Sequence, residues 1–212
     1  MISMIRRRRV NINETIKNRH SVRKFKPDVI KNEIVVEMLE AARLAPSPGN
    51  GQNYFFGVIT DKNVKDELAV AAGKQMWIAD APLIFACCTD LSWNLEDAAA
   101  DDFGRIVNNY RFGESFVSSF KNNPYAKSLN ILLHNSDPLL PMAHLLLTAT
   151  SHGLGGCIVG FLDVMCASKV LKLPENMCCL YLLPIGFPAD KTILNEKKSI
   201  HEISFYNLYS DN

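Results

Sequence analysis

Residues 138–161 read PLLPMAHLLLTATSHGLGGCIVGF, and the fold turns on this stretch. Leu139, Leu140, Met142, Ala143, Leu145, Leu146 and Leu147 crowd its first half, which predicts a helix over Pro138–Ser151 that is apolar on nearly all sides. Such a helix belongs inside a molecule or in a seam between subunits, because it has no polar face to offer water. His152-Gly153 is a helix-ending signal. The segment from Gly153 to Phe161 that follows is rich in glycine and otherwise apolar. With few side chains in the way, its backbone amides could approach a flat ligand; a tightly packed turn is the other reading. It is not a dinucleotide fingerprint, since no G-x-G-x-x-G joins a strand to a helix here and no acidic residue follows at the right distance.

Outward from this stretch, helical and strand patterns alternate, as in an α+β or α/β domain. A short helix is expected over Asn11–Asn18. Ile34, Val35, Met38, Leu39 and Ala42 predict a helix over Lys31–Leu44. Tyr54–Thr60 reads as a strand, Asp61 as the cap of a helix over Val64–Ala72, and Ala81–Thr89 as a buried strand. Val164–Leu171 predicts a short helix and Cys178–Pro184 an apolar strand. Between them, Phe103, Ile106 and Tyr110 suggest a helix, while Phe112–Ser136 reads as a loop or lid. Asp97, Asp101 and Asp102 read as one helix face, and His144 as a satisfied core histidine.

The 212 residues, 48% hydrophobic and 21% charged, suit one soluble domain over 13–212 behind a basic tail over 1–12, with 91–136 a substrate-side lid or insertion. A net charge of +1 gives no general attraction to nucleic acid or to an acidic membrane. The run Arg6–Arg9 is read as a solvated tail, nucleic-acid binding being its alternative use. No secretory signal and no apolar run of ~18 residues is seen, so no membrane span is expected. Cys87, Cys88, Cys157, Cys166, Cys178 and Cys179 follow neither zinc spacing nor a disulfide framework, and a reducing cytoplasm with no metal is expected.

Two polar segments could carry chemistry. Arg19-His20-Ser21-Val22-Arg23 sets two guanidinium groups and a hydroxyl two residues apart, on one side of an extended chain, suited to a phosphate and an adjoining polyol; a solvated basic patch is the alternative. The turn Pro46-Ser47-Pro48-Gly49-Asn50-Gly51-Gln52 combines fixed backbone with neutral hydrogen-bonding groups from Ser47, Asn50 and Gln52, suited to a heterocycle edge, or is simply a helix-ending loop. Near the C-terminus, Lys197 and Lys198 could reach a phosphate or form a solvated charge pair.

Taken in order, R-x-S-x-R, a helix ending in Ala-Pro-Ser-x-x-Asn-x-Gln, a buried Ala-Pro-Leu-Ile strand, the apolar helix into Gly-Leu-Gly-Gly and a late Gly-Phe-Pro turn resemble the nitroreductase family over roughly Asn13–Tyr206. The resemblance implies a three-layer α/β/α sandwich with a mostly antiparallel sheet and a long buried interface helix. It implies an FMN-dependent oxidoreductase that passes a hydride from NAD(P)H to a nitroaromatic, quinone or similar small acceptor in a ping-pong cycle. A different flavin reaction on the same scaffold, or a non-enzymatic flavin-binding module, is the alternative. It also implies a homodimer with FMN at the interface. Arg19, His20, Ser21 and Arg23 take the place of the phosphate and ribityl ligands, and Pro46, Ser47, Pro48, Asn50 and Gln52 lie in the turn that reaches the partner's flavin. Cys157, Ile158, Val159 and Gly160 resemble the stretch whose amide faces the flavin, Val159 and Gly160 being the positions expected to do so. Lys197, with Lys198 beside it, stands where many members have a phosphate-binding arginine.

Overall fold

The computed structural model describes residues 11–190 and 196–209. Arg6–Arg9 and the tail up to residue 10 lie outside them. In chain order come α1 (Ile12–Asn18), α2 (Asn32–Arg43), β1 (Phe55–Ile59), α3 (Lys62–Ala71), β2 (Leu83–Asp90), α4 (Phe103–Phe112), α5 (Glu114–Ser118), α6 (Ala126–His134), α7 (Leu139–Ser151), β3 (Gly155–Gly156), α8 (Val164–Val170), β4 (Met177–Gly186) and α9 (Ile200–Ile203). Local chemistry sets the helix starts. Asn11 accepts from the Asn13 N–H, and the Asp61 and Asp163 side chains accept from the N–H groups of Val64 and Cys166, relieving donors that a first turn leaves unpaired.

The sheet is antiparallel throughout, in the order β1-β2-β4-β3. Its central strand β2 is buried on both faces, and the side-chain alternation of a strand divides it between two cores. Leu83, Phe85 and Cys87 pack with Met38 and Ala42 of α2 and Met142, Leu145 and Ala149 of α7. Ile84, Ala86 and Cys88 pack with Leu68 and Ala69 of α3 and Ala167 of α8. Helices on both faces of one antiparallel sheet make the three-layer α/β/α sandwich. A bulge at Cys87/Cys88 shifts the β2–β4 register, so that Cys87 faces Tyr181 and Cys88 faces Cys179.

Helix α7 buries Met142, Leu145, Leu146 and Ala149, yet Leu140 on its first turn is 54% exposed. Exposure along its apolar circumference is concentrated on the first turn, at Leu139 and Leu140. His144 is half-buried with Nδ1 3.1 Å from the Ala41 carbonyl, a partner on α2.

The loop expected over Phe112–Ser136 carries two short helices, α5 and α6, joined by turns. Gly113 at φ 87° and Asn122 at φ 59° cut the segment into pieces too short to show a period. What holds them is a separate small core: Leu95, Val117 and Phe120 are buried against Trp93, Leu129 and Leu133, and Phe112, Phe116 and Phe120 stack in sequence with ring centroids 5.5 and 5.3 Å apart. The three aspartates do not share a helix face either. Asp102 is the N-cap of α4, accepting from the Arg105 N–H at 2.9 Å, while Asp97 lies in a turn held by Asn94.

Candidate functional site

The chain leaves α1 at Arg19 and runs extended along the end of the sheet. The Val22 N–H donates to the Gly156 carbonyl at 3.0 Å, and Ser21 bridges Gly156 in parallel. Further on, the Lys26 N–H donates to Phe187 O at 2.8 Å and the Ala189 N–H to Lys24 O at 3.0 Å. Alternation then does the positioning. Val22 is buried, so Ser21 and Arg23 face outward. The approach needs glycine. A Cβ on Gly156 would lie 2.7 Å from the Pro184 carbonyl oxygen and 2.5 Å from Ile185 Cδ1, and one on Gly155 would collide with Val22 Cγ2. Gly155 lets Val22 of the 19–23 segment pack closely, and Gly156 lets this stretch lie close against β4.

The charges at this edge are unequally used. Lys24 Nζ is paired with Asp190 at 2.8 Å, which raises the Lys24 pKa through that hydrogen bond. Arg19 and Arg23 form no salt bridge among the described residues. The Arg23 guanidinium instead lies 5.9 Å from the Trp77 ring centroid, a platform that orients it without neutralising it. His20 Nδ1 is 2.8 Å from the Asn18 carbonyl. Two permanent cations with an exposed hydroxyl between them are an arrangement for an anion such as a phosphate.

Beyond β3, the Val159 N–H donates to Leu182 O at 2.9 Å and the Leu182 N–H returns to Val159 O at 3.1 Å. Val159 is buried and its amide is spent on the sheet. The Gly160 N–H has no partner among the described residues and the residue is exposed, so of the two positions expected to offer an amide only Gly160 has one to give. Ile158 is exposed beside it, whereas Cys157 is buried.

The turn after α2 stands apart from this edge. The Gln52 N–H donates to Ser47 Oγ at 2.9 Å and Gln52 Nε2 to Asn50 O at 3.2 Å, closing a loop in which Gly49, Asn50 and Gln52 all have positive φ. Pro46, Pro48 and Asn50 are exposed. No described hydrogen bond links the turn to Arg19–Arg23 or to Cys157–Gly160. Lys197 and Lys198 are exposed ahead of α9, whose Ser199–Glu202 capping box starts it, and no described hydrogen bond or salt bridge joins them to the arginines.

Two features went unread in the sequence. One is Trp77 beneath Arg23. The other is a buried polar cluster of Asn53, Thr89, His134 and Asp137, which joins positions up to 84 residues apart and has no local signature. Among the described residues no group of three or more His, Cys, Asp or Glu could hold a metal ion, and no helix is long and apolar enough to cross a membrane.

The model of the family described as "Nitroreductase family" matches residues 16–126. The chain belongs to the nitroreductase family. Among similar relatives, "FMN reductase (NADPH)" of Bacillus subtilis (strain 168) is 25% identical over 208 residues, covering 95% of this chain and 76% of its own length. "FMN reductase [NAD(P)H]" of the same strain is 27% identical over 186 residues, covering 85% and 68%. Among solved structures, the NADPH:FMN oxidoreductase from Vibrio harveyi complexed with NAD+ superposes with a TM-score of 0.72 at 25% identity, over 95% of this chain and 79% of that one. The matched family region begins in α1 and takes in the arginine segment, the turn and residues 91–126.

Proposed function

We propose that this protein is an FMN-dependent NAD(P)H oxidoreductase. The observation that carries the reading is the edge formed by Arg19, Ser21 and Arg23 beside the unpartnered Gly160 amide, in a member of the nitroreductase family whose relatives are named FMN reductases. The residues fit the cofactor. Arg19 and Arg23, with no carboxylate to neutralise them among the described residues, bind its phosphate, and Ser21 and the His20 backbone its polyol chain. Gly160 offers a backbone donor to the ring edge where reduction occurs, flanked by Ile158, with Cys157 and Val159 buried as its support. Ser47, Asn50 and Gln52, on the turn braced by Pro46 and Pro48, supply hydrogen bonds to the flavin of a second subunit. Lys197 and Lys198 add positive charge for the phosphate. When bound, FMN supplies the hydride relay between NAD(P)H and a nitroaromatic, quinone or similar small acceptor, the two substrates using one site in turn.

A homodimer in the cytoplasm completes the reading. Ile12 and Ile16 of α1, Leu139 and Leu140 of α7, and Ile200, Ile203, Phe205, Tyr206, Leu208 and Tyr209 around α9 are all exposed apolar side chains in the single chain. Surface of that kind suits burial against a second copy. The test is the purified protein itself. A yellow preparation that sediments as a dimer, loses its flavin absorbance when NADH or NADPH is added and regains it with a quinone is expected. A colourless monomer that takes up no FMN would refute the assignment.

A further inference from the structure

The polar cluster behind the turn contains a protonation requirement. His134, at the end of α6, is 7% exposed. Its Nδ1 lies 2.7 Å from Asp137 Oδ2 and its Nε2 lies 3.0 Å from the Trp93 carbonyl oxygen. Both neighbours are acceptors, and a neutral imidazole has one N–H to offer. Only the imidazolium satisfies both. Asn53 Nδ2 is also 3.0 Å from Nδ1, but its two N–H groups have better uses in the Asp90 carbonyl at 2.7 Å and Asp137 Oδ2 at 3.1 Å. The Thr89 hydroxyl, 2.8 Å from the Asn53 carbonyl oxygen and 3.1 Å from Asp137 Oδ2, closes the cluster.

The consequences reach two segments. Asn53 directly follows the 46–52 turn. Trp93 opens the 91–136 excursion, packs edge-on to His134 with centroids 5.8 Å apart, and donates from Nε1 to Asp102, the N-cap of α4, at 3.1 Å. We propose that His134, as an imidazolium paired with Asp137, is a positioning residue that clasps the flavin-facing turn and the start of the excursion together, and that its deprotonation releases the excursion at Trp93. That the released segment alters access to the acceptor site rests on the flavoenzyme reading above; the clasp itself does not.

The groups acting on the imidazole set the pH range. Burial pulls its pKa down, but the Asp137 carboxylate, the Trp93 carbonyl and the Asp90 carboxylate at the end of β2 outweigh it, leaving the pKa above the ordinary 6.5. The turn contributes only neutral Asn53, and β2 adds neutral Thr89. A raised folded-state pKa means the clasp is fully closed below about 6.5 and opens as pH rises through the folded value. Nδ1 keeps its proton for the carboxylate, so the Nε2 lone pair then faces the Trp93 oxygen.

The experiment follows hydrogen exchange of peptides spanning residues 91–104 at pH 6 and pH 9, corrected for intrinsic exchange, alongside histidine nitrogen NMR of the wild type. Expected are both His134 ring nitrogens protonated at pH 6, a pKa above 6.5, and protection that falls several-fold at the higher pH. His134→Gln should abolish that pH dependence. Should it fold poorly, Asp137→Asn should instead shift the loosening to lower pH. A wild-type pKa under 6.5, or protection equal at both pH values, overturns the clasp, whether or not the protein binds flavin. With the clasp standing, an acceptor KM that rises with pH in the wild type, at unchanged kcat, supports the gating role; a KM flat across that range overturns it.

Discussion

The sheet edge that carries Arg19–Arg23 and the excursion over 91–136 are built in opposite ways. At the edge, successive backbone hydrogen bonds tie Val22 to β3, Val159 to β4 and the segment 24–26 to Phe187–Ala189 just beyond β4, with Gly155 letting Val22 approach. The excursion has few such ties. It leans on a three-residue core of Leu95, Val117 and Phe120 and on the buried His134–Asp137 contact, while Phe103, Tyr110 and Tyr125 stand 70–95% exposed. The first is tied by backbone to the sheet; the second has its own small core and further contacts to β4 through Ile131. If the edge binds the cofactor and 91–136 faces the substrate as proposed, this contrast in construction would suit both roles.

The sharpest way to break this contrast is to truncate one core residue in each region. Phe85→Ala, at the centre of the sheet, should cost about 3–5 kcal/mol of global stability in urea unfolding, whereas Phe120→Ala should speed hydrogen exchange within 91–136 and leave exchange in β2 and β4 as it was. Equal global losses would mean the excursion is no separate unit. Next in size, Arg23→Ala should remove a charge-assisted contact of roughly 1.5–3 kcal/mol, about ten- to a hundredfold in FMN affinity by titration, without altering the thermal unfolding of the flavin-free protein. Gly156→Ala tests the packing role of the edge and should destabilise by about 1–3 kcal/mol, because a rigid carbonyl of Pro184 cannot move aside. Smallest, Asp102→Ala should cost about 1 kcal/mol and fray α4, since it removes an N-cap and the acceptor of the Trp93 indole N–H together.

Much of the fold was legible. The helices over 32–43, 62–71 and 139–151 and the strands over 55–59, 83–90 and 177–186 follow their apolar periods and caps to within a few residues. Within 91–136, α4 follows the helix suggested by Phe103, Ile106 and Tyr110, but α5 and α6 did not show, because Gly113 and Asn122 break the segment below the length at which a period shows. At the candidate site, local spacing brought Arg19, Ser21 and Arg23 to notice, but it could not say that Val159's amide is already spent, that Arg23 rests over Trp77, or that Lys24 is answered by Asp190.

By itself the sequence determined most helices and strands outside residues 112–136, where the glycines and cations fall, and hence the resemblance to the family to which the chain belongs. Those are matters of near neighbours: periods of two and 3.6, caps, and residue types in order. Only the tertiary structure decided which amide at 159–160 remains free, and that Asn53, Thr89, Trp93 and Asp137 converge on His134. Pairing between positions dozens of residues apart depends on how sheet and helices pack, and no local pattern encodes the partner of a hydrogen bond made across the fold.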